Sequence, residues 1–204
     1  MEQLGKNIRD LRRKHALTLK QLSKQTHLSV SFLSEIERGL AQPSMASLRK
    51  IRDALGLSLF RFQDFEVNKK TNNQIPSFVQ QQHAGRDSYI KTAKHIKPSQ
   101  RKRLAYPGQP GYYELLTPDL NRQLEVLYFK MEPGWDTGPE KLIDPPGEKC
   151  MVIFSGNATF KVEDQVFELE AGDSLSYPAD AGTSWSIHGK DPFEGILIIT
   201  PPGF

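Results

Sequence analysis

A chain of 204 residues with 37% hydrophobic residues can bury a sizeable core, which excludes a globally disordered protein. No run of eighteen apolar residues is present, and the charged N-terminus lacks the apolar stretch of a signal peptide, so we expect no membrane partner. The single cysteine, Cys150, excludes an internal disulfide framework, and these features together predict a cytoplasmic protein.

The net charge of +3 conceals a strong asymmetry along the chain. Residues 1–70 contain fourteen Lys and Arg against seven Asp and Glu, and residues 71–103 contain seven against one. Residues 104–204 contain six against sixteen. A basic front half joined to an acidic back half predicts that the front half meets a polyanion, although solvated basic faces are also common.

The first part of the chain has helical periodicity. Over residues 3–65 the apolar residues recur at intervals of three and four, which predicts several short amphipathic helices. Helix N-caps are predicted at Thr18, Ser29 and Ser44, each just before an apolar repeat. We therefore predict a compact all-α domain of five helices over residues 1–66.

Within this domain, the stretch LKQLSKQTHLSVSFLSEIERG predicts two helices separated by only a few residues. The first helix places Leu22 inward, and His27 falls where the chain must reverse. Histidine is among the non-glycine residues enriched in the left-handed conformation, so we expect that conformation there. The outward positions of the second helix carry small, polar or charged side chains, which suit a major groove better than a core. The pair predicts a helix-turn-helix.

Residues 4–62 contain two sequence patterns, LSVSFLSEIERG and PSMASLRKIRDALG. These patterns resemble the five-helix domain of phage repressors and the xenobiotic-response-element regulator family. The resemblance implies a homodimer that binds a two-fold symmetric operator in double-stranded DNA. One departure is His27, where the family usually has a turn glycine. Relatives of this fold that serve as antitoxins or protein-docking modules remain an alternative.

The resemblance also implies roles for individual residues. The base-reading positions are Val30, Ser31, Ser34 and Glu35. The phosphate-contacting positions are Thr18, Lys20, Gln21, Arg38 and Ser44. Short hydroxyls can pair with several bases, while basic side chains and helix N-termini attract phosphates. Arg12, Arg13 and Lys14 could also contact phosphates, but a solvated face is favoured for them.

The rest of the chain changes pattern twice. Residues 67–87 have no clear periodicity and are interpreted as a linker, and residues 88–104 are expected to hold one or two strands. From residue 112 onward the period shifts to two, with turn residues every eight to twelve positions, which predicts an antiparallel sandwich or barrel over residues 88–204. The predicted strands are YYELL, QLEVLYFKM, CMVIFSG, NATFKVE, QVFELE, DSLSYP, TSWSIHG and EGILIIT.

The run EKCMVIFSGNATFKVEDQVFELEAGDSLSYPADAGTSWSIHG resembles a cupin, a small antiparallel barrel also called a double-stranded β-helix. Many cupins hold a metal, but the ligand positions implied by the resemblance are occupied by Ile143, Pro145, Lys149 and Thr183. None of these is a good ligand for a divalent ion, so we predict no metal and no cofactor. A shifted frame offers Glu140, Glu148 and His188, which keeps a metal-dependent cupin enzyme with an accessory DNA-binding domain as the alternative.

A barrel mouth without a metal is a candidate pocket for a small-molecule effector. The residues expected near that mouth are Trp135, Lys149, Met151, Tyr177, Thr183 and Trp185. Lys149 would suit a carboxylate-bearing effector; the alternative is that the aromatic residues are ordinary core and Lys149 is solvated. The sequence therefore predicts a non-enzymatic transcriptional repressor whose cupin domain senses an effector and supports dimerisation.

Overall fold

The computed structural model describes residues 2–56, 92–106 and 108–203. The chain divides into two compact units, residues 1–84 and 85–204, of which the first is helical and the second is built from antiparallel strands. No helix among the described residues is long and apolar enough to cross a membrane. The predicted boundary after residue 66 and the predicted linker, residues 67–87, lie outside the described residues.

The helical unit contains four helices in residues 2–56, not the five predicted. They are α1 (Glu2–Lys14), α2 (Leu19–Thr26), α3 (Val30–Glu37) and α4 (Met45–Leu55). The residues in which the fifth helix was expected, 57–66, lie outside the described residues. Helix α1 packs on α3, and α2 packs on both α3 and α4, so that α3 is held from two sides.

The helix boundaries follow the predicted capping chemistry. Thr18, Ser29 and Ser44 are the N-caps of α2, α3 and α4, and each side-chain oxygen accepts a hydrogen bond from a backbone N–H in the first turn. His27 ends α2 in the left-handed conformation, with φ 55° and ψ 24°. The reversal between α2 and α3 is therefore made without glycine, as the sequence predicted.

Over residues 92–106 and 108–203, the second unit contains a short 3-10 helix, Pro98–Gln100, and nine strands. These are β1 (Arg103–Leu104), β2 (Gly111–Leu115), β3 (Glu125–Met131), β4 (Glu148–Ser155), β5 (Asn157–Val162), β6 (Gln165–Leu169), β7 (Ser174–Pro178), β8 (Thr183–His188) and β9 (Phe193–Thr200). All eight predicted strand segments are strands, and β1 lies in the region where one or two more were expected. The strands form a six-stranded sheet, β1-β2-β3-β9-β4-β7, and a three-stranded sheet, β6-β5-β8.

An aromatic cluster joins the two sheets. The Trp185 ring, from the three-stranded sheet, lies 5.9 Å from the ring of Phe129 and 6.0 Å from that of Phe193, both on the six-stranded sheet. Phe160 and Trp135 complete the cluster, with ring centroids 5.8 Å and 4.3 Å from Trp185. Inner faces that share one core make the unit a closed two-sheet structure, as expected for the double-stranded β-helix of a cupin.

Candidate nucleic-acid interface and interior polar site

The predicted base-reading residues lie on the side of α3 that faces away from the helical core. Val30 is 43% exposed, Ser31 and Glu35 are exposed, and Ser34 is half-buried. At 3.6 residues per turn these four positions span an arc of about 140° around the helix axis. Leu33, on the opposite arc, is buried. The structure therefore leaves a continuous strip of short side chains open on this helix.

The predicted phosphate-contacting residues are all exposed. Thr18, Lys20 and Gln21 lie at the start of α2, where Thr18 and Gln21 form a reciprocal capping box. Ser44 lies at the start of α4, and Arg38 follows α3 directly, with its Nε donating to a backbone oxygen of the last turn. Helix N-termini and exposed cations are the groups that phosphates favour.

A buried ion pair that the sequence reading missed fixes the end of α3. Arg12 of α1 donates from Nε and Nη2 to the two carboxylate oxygens of Glu37, at 2.6 Å and 2.9 Å. Arg12 Nη1 also donates to the backbone oxygen of Leu17, at 2.6 Å, in the α1–α2 connection. The hydrogen bond to Glu37 raises the pKa of the Arg12 guanidinium above its ordinary value, against the opposing effect of burial.

The interpretation of Arg12 as part of a solvated face is therefore wrong. Its side chain is only 10% exposed and that of Glu37 only 5%. A sequence signal existed, because Glu37 follows the inward Leu33 at a spacing of four and so falls on the apolar face of α3. A charged residue on such a face needs a buried partner.

Gly5 brings α1 close to the same end of α3. A Cβ atom at this position would lie 2.2 Å from the backbone oxygen of Ile36 and 3.0 Å from that of Glu37. Any larger residue would therefore push the two helices apart. Together with the Arg12–Glu37 pair, this contact determines how α3 is presented.

The interior of the β-unit has a polar row at one end of its larger sheet. The strand registers align Glu125, Ile199, Lys149 and Tyr177 across β3, β9, β4 and β7, and all four are buried. Two residues further along the strands, the corresponding inward positions are Leu127, Leu197 and Met151. The inner face therefore changes from apolar to polar over the length of one dipeptide repeat.

Lys149 is held by a buried counter-charge within this row. Its Nζ donates to Oδ2 of Asp144, and the two side chains are 4% and 3% exposed. The same Nζ lies 5.9 Å from the centre of the Tyr177 ring, and Glu125 Oε2 accepts from the Gly203 N–H at 3.0 Å. Lys149 is thus not solvated, and its charge already has a buried partner in Asp144.

The other predicted pocket residues are also buried, but they form two groups. Trp135, Met151 and Trp185 belong to the core, with the two Trp rings in contact. Thr183 forms a β-bridge with Leu142 and donates from its hydroxyl to the Leu142 backbone oxygen. The structure therefore brings Lys149 and Tyr177 together on adjacent strands, while the two Trp rings lie in the aromatic core.

The shifted-frame metal ligands do not form a cluster. Glu140 and Glu148 are exposed, and His188 is exposed on the smaller sheet, with its Nε2 2.7 Å from the Thr159 hydroxyl. Over residues 2–56, 92–106 and 108–203, no group of three His, Cys, Asp or Glu residues is arranged to hold a metal ion.

Comparisons with known proteins agree with this architecture. Residues 8–62 match the HTH_3 helix-turn-helix family. The chain is 25% identical over 200 residues to the HTH-type transcriptional regulator PuuR of Escherichia coli. The alignment covers 98% of this chain and 96% of that protein. It is 31% identical over 81 residues to the immunity repressor of Bacillus phage phi105, which covers 35% of this chain and 56% of the repressor.

Among solved structures, an HTH_3 family transcriptional regulator from Vibrio cholerae superposes with a TM-score of 0.66 at 17% identity. The alignment covers 98% of this chain and 95% of that one, so the order of a helical unit before a β-unit is shared along the whole length. Residues 8–62 therefore belong to a helix-turn-helix domain of the HTH_3 type, and along nearly its whole length the chain is similar to an HTH-type transcriptional regulator.

Proposed function

We propose that this protein is a sequence-specific DNA-binding repressor that acts as a homodimer and places α3 in the major groove. The observation that carries the proposal is the exposed strip Val30, Ser31, Ser34 and Glu35, on a helix whose opposite side is fixed to α1. A helix that reads bases must expose side chains that can contact base edges, and it must be held in a fixed orientation because these contacts need defined geometry.

The side chains in the strip can read base edges. A serine hydroxyl both donates and accepts, Val30 can contact a thymine methyl group, and Glu35 can accept from the amino group of cytosine. The exposed groups at the starts of α2 and α4, with Arg38, would bind flanking phosphates and set the register of α3 on the duplex. These roles support direct readout by α3 with positioning by its neighbours.

Dimerisation and effector binding are assigned to the β-unit. One α3 contacts only a few base pairs, so specific binding calls for two copies on a two-fold symmetric site. The buried polar row at Glu125, Lys149 and Tyr177 is where we place the small-molecule effector. An effector that binds one arrangement of the dimer more tightly than another would change operator affinity by the same free energy. The phage repressor among the relatives supports repression as the direction of control.

A test of this proposal selects binding sites from a random pool of duplex DNA with the full-length protein. We expect enrichment of a two-fold symmetric motif. The variant Ser31→Glu/Ser34→Glu should lose at least about a hundredfold in affinity for that motif, because two base-facing hydroxyls become carboxylates that face phosphates.

The control variant is Gln3→Glu/Gln25→Glu, which adds the same charge at exposed positions of α1 and α2. It should keep the motif and most of the affinity. Full motif selection by the Ser31/Ser34 variant, or no enriched motif with the unaltered protein, would contradict the proposal.

A further inference from the structure

One segment of the β-unit has a charge opposite to the rest of that unit. Residues 92–106 contain five Lys and Arg and no Asp or Glu, whereas residues 104–204 carry sixteen acidic residues against six basic ones. The segment includes the 3-10 helix Pro98–Gln100 and strand β1. Lys94, Lys97, Lys102 and Arg103 are all exposed. A cationic surface of this kind in an otherwise acidic unit needs its own explanation.

Some of these cations form ion pairs within the unit and still remain exposed. Arg101 and Arg103 share one carboxylate, that of Glu114, at 3.4 Å and 2.9 Å. Lys94 lies 3.7 Å from a carboxylate oxygen of Asp119, with its side chain still 54% exposed. Lys94 and Arg103 therefore stay largely exposed beside their acidic partners, and Lys97 and Lys102 are exposed in the same short segment.

The segment is also held in shape. The Arg103 guanidinium carbon lies 3.8 Å from the centre of the Tyr112 ring, and β1 pairs with β2 through Arg103 and Leu104. Arg103 remains 57% exposed in this stacked position. Stacking and strand pairing restrict the Arg103 side chain before any partner arrives, which lowers the entropy that this residue loses on binding.

We infer that the basic segment, residues 92–106, is a second DNA contact that binds the phosphate backbone without reading sequence. This inference rests on the proposed DNA-binding function. The chain joins the segment to the helical unit, so a duplex bound by α3 is present near the segment at high effective concentration. Lysine and arginine side chains displace counterions from DNA, and that release supplies affinity at every sequence.

The test measures how affinity depends on salt. A labelled duplex of about 40 base pairs of arbitrary sequence is titrated with full-length protein by fluorescence anisotropy, from about 50 to 300 mM KCl. The variant Lys97→Gln/Lys102→Gln should make the slope of log Kd against log salt shallower by about 1.8 and weaken binding at least roughly tenfold near 150 mM salt. Its melting temperature should equal that of the unaltered protein, since both side chains are exposed.

The matched control is Lys161→Gln/Lys190→Gln, which removes two exposed lysines from elsewhere in the same unit. Its slope should be unchanged, because total charge alone does not create a phosphate contact. An unchanged slope in the Lys97/Lys102 variant overturns the inference. If that variant instead self-associates by light scattering with an unchanged slope, the charges protect the edge of strand β1 and the inference is wrong.

Failure of the proposed function has a different result. No binding of any duplex by the unaltered protein at about 50 mM salt would contradict the proposed DNA-binding function itself. A slope that is reduced equally in the test and control variants would show a long-range effect of net charge and would also overturn the basic segment as a contact.

Discussion

Each unit of this molecule contains a buried ion pair, and the two pairs differ in what they join. Arg12–Glu37 connects α1 and α3, and through Leu17 it also holds the α1–α2 connection. Lys149–Asp144 lies at the polar end of the β-unit interior, beside the Tyr177 ring. Replacing a buried ion pair with apolar residues is often neutral or stabilising, so its presence alone is weak evidence for a role in stability.

The two pairs have different roles. The Arg12–Glu37 pair acts on the position of α3, the helix with the exposed strip. The Lys149–Asp144 pair instead places charges on an inner face that is otherwise apolar one repeat away. We therefore regard the first pair as a positioning device and the second as part of the proposed effector site.

The largest expected effect comes from breaking the pair in the helical unit. Arg12→Met leaves the Glu37 carboxylate buried without its guanidinium, and we expect the free energy of unfolding of this unit to fall by about 3 to 5 kcal/mol. Urea denaturation followed by circular dichroism measures it. Arg13→Met, at the exposed neighbouring position, should change the same quantity by less than about 0.5 kcal/mol. Equal effects of the two variants would show that the buried pair has no special role.

The pair in the β-unit should be sensitive to single changes and tolerant of a double one. Lys149→Met should lower the free energy of unfolding by about 3 kcal/mol, because Asp144 stays buried, and Lys149→Met/Asp144→Asn should recover most of that loss. Lys161→Met is the exposed control on β5 and should have little effect. A double variant no more stable than the single one would show that the pair stabilises the fold itself.

The double variant also tests the effector site. Metabolites that raise the melting temperature of the unaltered protein should not raise that of folded Lys149→Met/Asp144→Asn, because ligand binding to the native state alone produces such shifts. The same metabolites should still raise the melting temperature of Arg13→Met. Equal shifts in all three proteins would place the effector elsewhere.

The smallest expected effect comes from a half-buried ion pair between β3 and β9. Lys130 Nζ and the Tyr128 hydroxyl both donate to the Glu194 carboxylate, at 2.8 Å and 2.7 Å, and these hydrogen bonds lower the pKa of Glu194 in the folded state. The stabilisation is therefore present above the unfolded pKa of about 4.3 and is lost as the pH falls through the folded pKa.

Glu194→Gln should accordingly cost about 0.5 kcal/mol near pH 7 and nothing near pH 3. The measurement is the difference in unfolding free energy between the variant and the unaltered protein over that pH range. The control Glu170→Gln removes one carboxylate at an exposed position and should change the free energy of unfolding little near pH 7. A cost that grows as the pH falls would contradict the assigned direction of the Glu194 pKa.

Local patterns predicted most of the fold. The three N-caps, the left-handed His27 and the eight strand segments depend on a residue and its near neighbours, through capping hydrogen bonds, allowed dihedral angles and alternation of apolar side chains. The prediction of five helices was less accurate: residues 2–56 contain four, and the remaining window lies outside the described residues.

The candidate site was predicted less completely, for a physical reason. Exposure of Val30, Ser31 and Glu35 follows from helical periodicity alone. The pairing of Arg12 with Glu37, 25 positions apart, depends on how α1 packs against α3. The pairing of Asp144 with Lys149 could not be predicted, because Asp144 lies in an irregular stretch between β3 and β4, where no periodicity indicates which way a side chain points.

The sequence by itself determined the order of a helical unit and a β-unit, the capped helices of the helix-turn-helix and the strongly basic character of the first half. Each of these follows from the spacing of neighbouring residues or from the number of charged residues in the sequence. Only the tertiary structure decided which charges lose their water and find partners. Gly5 against Ile36, Arg12 against Glu37 and Lys149 against Asp144 are contacts between separate elements, and burial, which makes such contacts consequential, exists only once those elements have packed.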